Sequence, residues 1–94
     1  MTGPIQINDN MTPRLSDHVT MRFDGHRDRW VILAPERVLM LDDISVEILK
    51  RCDGRSVAQV IDDLVAAFDA PRDDIARDVM AMLQDLADKG TIKT

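Results

Sequence analysis

The spacing of apolar residues changes once along this chain, and the change divides its fold. From residue 18 to residue 41 apolar side chains alternate or form short continuous runs, whereas from Asp42 onward they recur every three to four positions. The first pattern is that of strands and the second that of helices. Val19, Met21 and Phe23 share one face, with His18, Thr20 and Arg22 on the other. Asp24-Gly25-His26-Arg27-Asp28 reads as a hairpin loop in which Gly25 is free to take a positive φ. A second strand runs from Arg29 to Ala34. Pro35 lacks an N–H and restrains Ala34, so it ends that strand in a tight turn. Arg37 to Leu41 is the third strand. Strands joined by such short connections pair as an antiparallel meander.

Asp42 is a suitable N-cap for a first helix, with Ile44, Ile48 and Leu49 facing inward and Gly54 closing it. Ser56 and Gln59 have the spacing of a capping box. They open a second helix, Val57 to Phe68, with core positions Val57, Val60, Ile61, Leu64 and Phe68. Pro71 opens a third, and Asp73 and Asp74 sit at the positive end of its dipole. Its apolar stripe is Ile75, Val79, Met82, Leu83 and Leu86; Gly90 stops it, and Thr91 to Lys93 adds a short strand. The expected fold is α+β and winged-helix-like, a three-stranded antiparallel sheet followed by three helices (β-β-β-α-α-α). Residues 1–12 lack periodicity and read as a flexible tail; residues 13–94 form one domain.

Charge narrows the function. The net charge of −5 lies entirely in residues 42–94, since five arginines balance five acids before them. A DNA-reading third helix would present Arg72, Arg77 and Lys89 among Asp73, Asp74, Asp78, Asp85 and Asp88. Phosphates would be repelled, so nucleic acid is not an expected partner. Membrane is not expected either, because no apolar run approaches the roughly 20 residues of a spanning helix. One cysteine, Cys52, and no signal-peptide pattern suit a reducing, cytoplasmic setting. His18, His26 and Cys52 lack the spacing of a metal site, and the three Asp-Asp pairs serve as caps or solvated faces. No catalytic residue, metal or cofactor is expected.

The third strand stands out. Val38, Leu39, Met40 and Leu41 are apolar on both faces, and no lysine, proline or interior charge guards them. It reads either as an ordinary edge of the wing or as a template for an incoming peptide, with Met80 and Met82 as an adaptable wall. An edge so unprotected also favours a homodimer, through this strand or by exchange of amino-terminal strands.

The segments WVILAPERVLMLD (30–42), ILKRCDGRSVAQVIDDL (48–64) and DVMAMLQDLADKG (78–90) resemble the PqqD family of pyrroloquinoline quinone biosynthesis. The resemblance spans residues 13–92. Pro35-Glu36, Leu41-Asp42, Cys52-Asp53-Gly54 and Asp78-Val79 stand where the family has them. Asp42 replaces a more usual Asn, and Ile44-Ser45 a smaller pair. The resemblance implies a non-enzymatic adaptor that binds the precursor peptide PqqA and presents it to PqqE, a radical S-adenosylmethionine enzyme. It also implies strand addition to Arg37, Val38, Leu39, Met40 and Leu41, in a groove walled by Ile75, Asp78, Val79 and Met82, with Val79 equally a core residue. On that reading a charge at Met40 abolishes peptide binding. Two rival readings are a scaffold that mainly docks the radical enzyme and a recognition element of another peptide-modification pathway.

Overall fold

A computed structural model describes residues 6–94. The elements run β1 (Arg14–Leu15), β2 (Thr20–Asp24), β3 (Arg29–Ala34), β4 (Arg37–Met40), α1 (Asp43–Lys50), α2 (Val57–Phe68), α3 (Arg72–Asp88) and β5 (Ile92–Lys93). β2, β3 and β4 form an antiparallel sheet in that order, so three meander strands precede three helices as the change of period requires. The third predicted strand is β4, one residue shorter than expected. Leu41 nonetheless keeps a ladder bond, its N–H donating to the Trp30 carbonyl at 3.0 Å.

Register decides what each side chain faces. Met21, Ile32 and Leu39 stand in one row across the sheet. Ile32 is fully buried in the core, and Met21, Trp30 and Leu39 pack against it, so this row faces the helices. The neighbouring rows, Thr20–Leu33–Val38 and Arg22–Val31–Met40, therefore face the other way. The core itself lies between the sheet and the helices. Ile48 and Leu49 of α1, Val57, Val60, Ile61 and Leu64 of α2, and Ile75, Val79, Leu83 and Leu86 of α3 converge there. Each large aliphatic side chain so buried stabilises the fold by about 1.5–3 kcal/mol before entropy is charged.

Local chemistry sets the helix ends. Asp42 caps α1, accepting from the Ser45 N–H at 2.9 Å. The Ser56–Gln59 capping box on α2 is complete in both directions. Pro71 occupies the N-cap of α3 without a side-chain cap. Gly54 and Gly90, with φ of 115° and 75°, supply the left-handed turns after α1 and α3.

Several expectations give way. Residues 1–5 of the expected tail lie outside the described residues. Beyond them the segment is packed: Ile7 is buried, and Asp9 and Met11 carbonyls accept from the Ala58 and Val57 N–H groups at the start of α2. These are orphan donors that a helix start must satisfy. The short carboxy-terminal strand exists, but it pairs with β1 as a second, separate sheet, Arg14 against Lys93 and Leu15 against Ile92. In the β2–β3 loop it is Asp28, not Gly25, that takes positive φ. The Asp24 carboxylate accepts from the His26 and Arg27 N–H groups and folds the loop without help from glycine. Val46 joins Ile48 and Leu49 as a buried residue of α1, while Ile44 packs against the core only partly buried. Phe68, placed in the core by its spacing, is the last residue of α2 and is 49% exposed.

Candidate functional site

β4 has a neighbour on one side only among the described residues. Which backbone groups it leaves open follows from the Leu41–Trp30 bond. Antiparallel pairs alternate between bonded and non-bonded. With Leu41 bonded to Trp30, the groups of Leu39 and Arg37 also point at β3, opposite Ile32 and Ala34. The N–H and C=O groups of Val38 and Met40 therefore point outward, two donors and two acceptors along one edge. The side chains alternate as well. Arg37, Leu39 and Leu41 lie on the helix side, whereas Val38 and Met40, 48% and 54% exposed, lie on the outer face.

The flank of α3 that accompanies this edge is fixed at one end. Lys89 and Gly90 at the end of α3, with Thr91, line an open pocket of about 360 Å³ together with Pro35, Glu36 and Arg37 of the β3–β4 turn. Asp17 lines it too, its carboxyl held below the ordinary carboxylate range by a hydrogen bond from Lys93. At 100° per residue, Met82 and Asp78 stand within about 20° of Lys89 on the helix, and Asp85 within about 40°. One stripe thus runs from Lys89 through Asp85 and Met82 to Asp78, roughly 16 Å long at 1.5 Å per residue. β4 spans a comparable ~13 Å at 3.3 Å per residue. Met82 is half-buried against the core, Asp85 is paired with Lys89 at 2.8 Å, and Asp78 is exposed with no ion pair among the described residues.

The residues singled out from sequence are sorted by this geometry. Leu39, Leu41, Arg37, Met82 and Asp78 belong to the edge and its flank. Val79 is fully buried and Ile75 nearly so; both are core, and Ile75 closes the floor of the stripe without exposing a wall. Val38 and Met40 offer their backbone to the edge but their side chains to the opposite face. Met80 stands on the far flank with Gln84, whose side chain accepts from the Ile7 N–H at 3.1 Å, so the two methionines do not form one wall. Glu36 and Lys89 join these residues once the fold is in hand. Lys89 was recoverable from its spacing of seven from Met82, whereas Glu36 is placed only by the fold.

Other surfaces are chemically quiet. An open cavity of about 580 Å³ is lined by Arg51, Arg55, Gln59, Asp62 and Asp63. Its arginines are already engaged, Arg51 with Glu47 at 3.0 Å and Arg55 with Asp63 at 2.7 Å. No cluster of three or more metal-ligating side chains occurs among the described residues, and none of the described helices is long and apolar enough to cross a membrane. His18 and His26 are exposed.

The architecture is a winged-helix-like α+β domain in which the outer edge of β4 is unpaired among the described residues. The model of the family Coenzyme PQQ synthesis protein D (PqqD) matches residues 29–92, and the chain belongs to that family. A relative from Rhodopseudomonas palustris (strain HaA2), named PqqA binding protein, is 59% identical over 87 residues, covering 92% of this chain and 85% of that protein. The solution structure of the PqqD portion of Methylobacterium extorquens PqqCD superposes with a TM-score of 0.76 at 42% identity, covering 87% of this chain and 88% of that one. It is described as a functional, stand-alone recognition element for ribosomally synthesized, post-translationally modified peptides. A lasso peptide synthetase B1, solved with its leader peptide, shares the fold at a TM-score of 0.77 and 24% identity, covering 89% of this chain and all of that one.

Proposed function

We propose that this domain is a peptide-binding adaptor of pyrroloquinoline quinone biosynthesis, which takes the precursor peptide PqqA as an added strand on β4 and presents it to the radical S-adenosylmethionine enzyme PqqE. The observation that carries the reading is the pair of residues Val38 and Met40, whose outward N–H and C=O groups form an unguarded hydrogen-bonding edge. The names of the relatives supply the peptide: the R. palustris protein is a PqqA binding protein. Four backbone bonds contribute about 1 kcal/mol each, net, and every second peptide side chain meets Leu39 and the Met82 stripe. Backbone bonding holds the strand and the apolar contacts select its sequence. On this reading the adaptor contributes position and concentration, and the chemistry on the peptide is left to the enzyme.

An amide chemical-shift titration with synthetic PqqA and no enzyme tests this. Shifts concentrated at residues 37–41 and at Asp78, Met82 and Lys89 are expected. Absence of shifts at high micromolar peptide would overturn it in favour of a scaffold that docks the enzyme alone.

A further inference from the structure

We propose that the outer face of the β2–β3–β4 sheet, centred on Val38 and Met40, is where the peptide-modifying enzyme docks, and that the bound peptide completes this surface. The proposal rests on the strand-addition reading and extends it to the second partner.

Val38 and Met40 are two of the four exposed large apolar side chains among the described residues, and both stand on the sheet face turned away from the helices. They are continuous with Leu33 and with Val31, which their neighbours cover almost completely. The solvent-facing part of this band is Val38, Met40 and part of Leu33, an exposed apolar patch of the kind that marks an interaction surface. A strand added to β4 widens it. The added side chains that do not enter the helix-side groove lie on this face, in rows with Val38 and Met40. The loaded domain therefore presents a broader apolar surface than the empty one, and a partner that reads the surface distinguishes the two.

Charge indicates the kind of partner. Arg22 and Arg29 stand on the same face; Arg22 has no ion pair among the described residues, and Arg29 donates to the Leu41 carbonyl. Asp24 stands opposite Arg29 on this face, but its carboxylate is already engaged by Arg27 at 2.6 Å. A twofold pairing of two copies through this face would gather four arginines around one apolar patch and be opposed by their repulsion. A different protein, with an apolar centre flanked by carboxylates, fits. In the reading above that protein is the enzyme that acts on the peptide.

The test uses the full chain with Met40→Glu, Val38→Glu, Arg22→Glu and, as a control elsewhere on the surface, Phe68→Glu. Arg22 is exposed and the other three positions are about half exposed, so folding is preserved. Synthetic PqqA is titrated first without enzyme, and purified PqqE is then titrated against the peptide-loaded domain. Measured on peptide-saturated domains, Met40→Glu and Val38→Glu are expected to weaken enzyme binding by about tenfold or more, and Arg22→Glu, on the same face but off the peptide edge, to weaken it while peptide affinity stays within about threefold. Phe68→Glu leaves both unchanged, and wild type binds enzyme more tightly when loaded than when empty. Unchanged enzyme affinity in both β4 variants overturns the proposal, as does a loss confined to Phe68→Glu. So does sedimentation of the peptide-loaded wild type as a dimer that only the two β4 glutamates dissociate. Failure of the underlying reading is visible separately, as a wild type that binds no peptide in the first titration.

Discussion

Two side chains at the ends of α1 carry predictions that need no partner. Asp42 accepts from Ser45, and the Ser45 hydrogen bonds hold its carboxyl below the ordinary carboxylate range. A lowered pKa means the cap contributes above the ordinary carboxylate value and is lost as pH falls through the folded one. Urea denaturation at neutral pH is expected to find Asp42→Ala less stable by about 1 kcal/mol and Asp42→Asn nearly unchanged. In acid the wild type alone loses the difference. At the other end of α1, the Cys52 thiol donates to the Ile48 carbonyl at 3.3 Å, and burial, with the nearby Asp53 charge, pushes its pKa up to about 11. A raised acid pKa stabilises the fold below the ordinary thiol value, and that contribution disappears as pH rises toward 11. At pH 8 roughly one thiol in a thousand is ionised. Disulfide-exchange reagents should therefore label native Cys52 far more slowly than the unfolded chain; equal rates would mean the thiol is open. The cap is readable from sequence because its bond is local, whereas the burial that dominates at Cys52 comes from packing. The exposure of Phe68 is not readable there either, since its spacing matches the core and only the end of α2 carries it out.

At the scale of the element, proline separates the two sides of β4. The Met40 N–H points to the open edge, so Met40→Pro costs no bond to β3, and proline is tolerated at such positions. The Leu39 N–H points at β3, so Leu39→Pro removes a ladder bond from inside the sheet. Met40→Pro is expected to stay folded by circular dichroism yet lose peptide affinity by about tenfold or more; Leu39→Pro is expected to melt far lower. A Met40→Pro domain that binds peptide normally would remove strand addition from consideration. Side chains give the complementary pair. Leu39→Asp should abolish peptide binding, whereas a charge at Met40 should not, which reverses what the sequence alone suggested. The reason is physical: residues 38–41 are apolar on both faces, so alternation carries no polarity there and only pairing with β3 assigns the faces. The order of strands and helices followed from the single change of period. The β1–β5 pair did not, because two-residue strands from opposite ends of the domain leave no local pattern.

For the whole molecule, the open edge makes self-association and peptide binding competitors. Two copies joining through β4 about a twofold axis would bond through Val38 and Met40, the groups an added peptide strand uses. Such a dimer also brings the Asp78 and Asp85 flanks of both copies alongside the shared seam, in a chain already at −5. Repulsion between those flanks is screened within about 10 Å at 0.1 M salt and reaches farther at lower ionic strength. Sedimentation equilibrium should therefore find the free protein associating at high concentration, and more so as salt is raised. Saturating peptide should return it to monomer, and Met40→Pro should be monomeric throughout. A mass that stays monomeric at every concentration and salt would show that the flanking carboxylates guard the edge against its own kind. Peptide-induced growth in mass would instead place self-association on a different surface from β4.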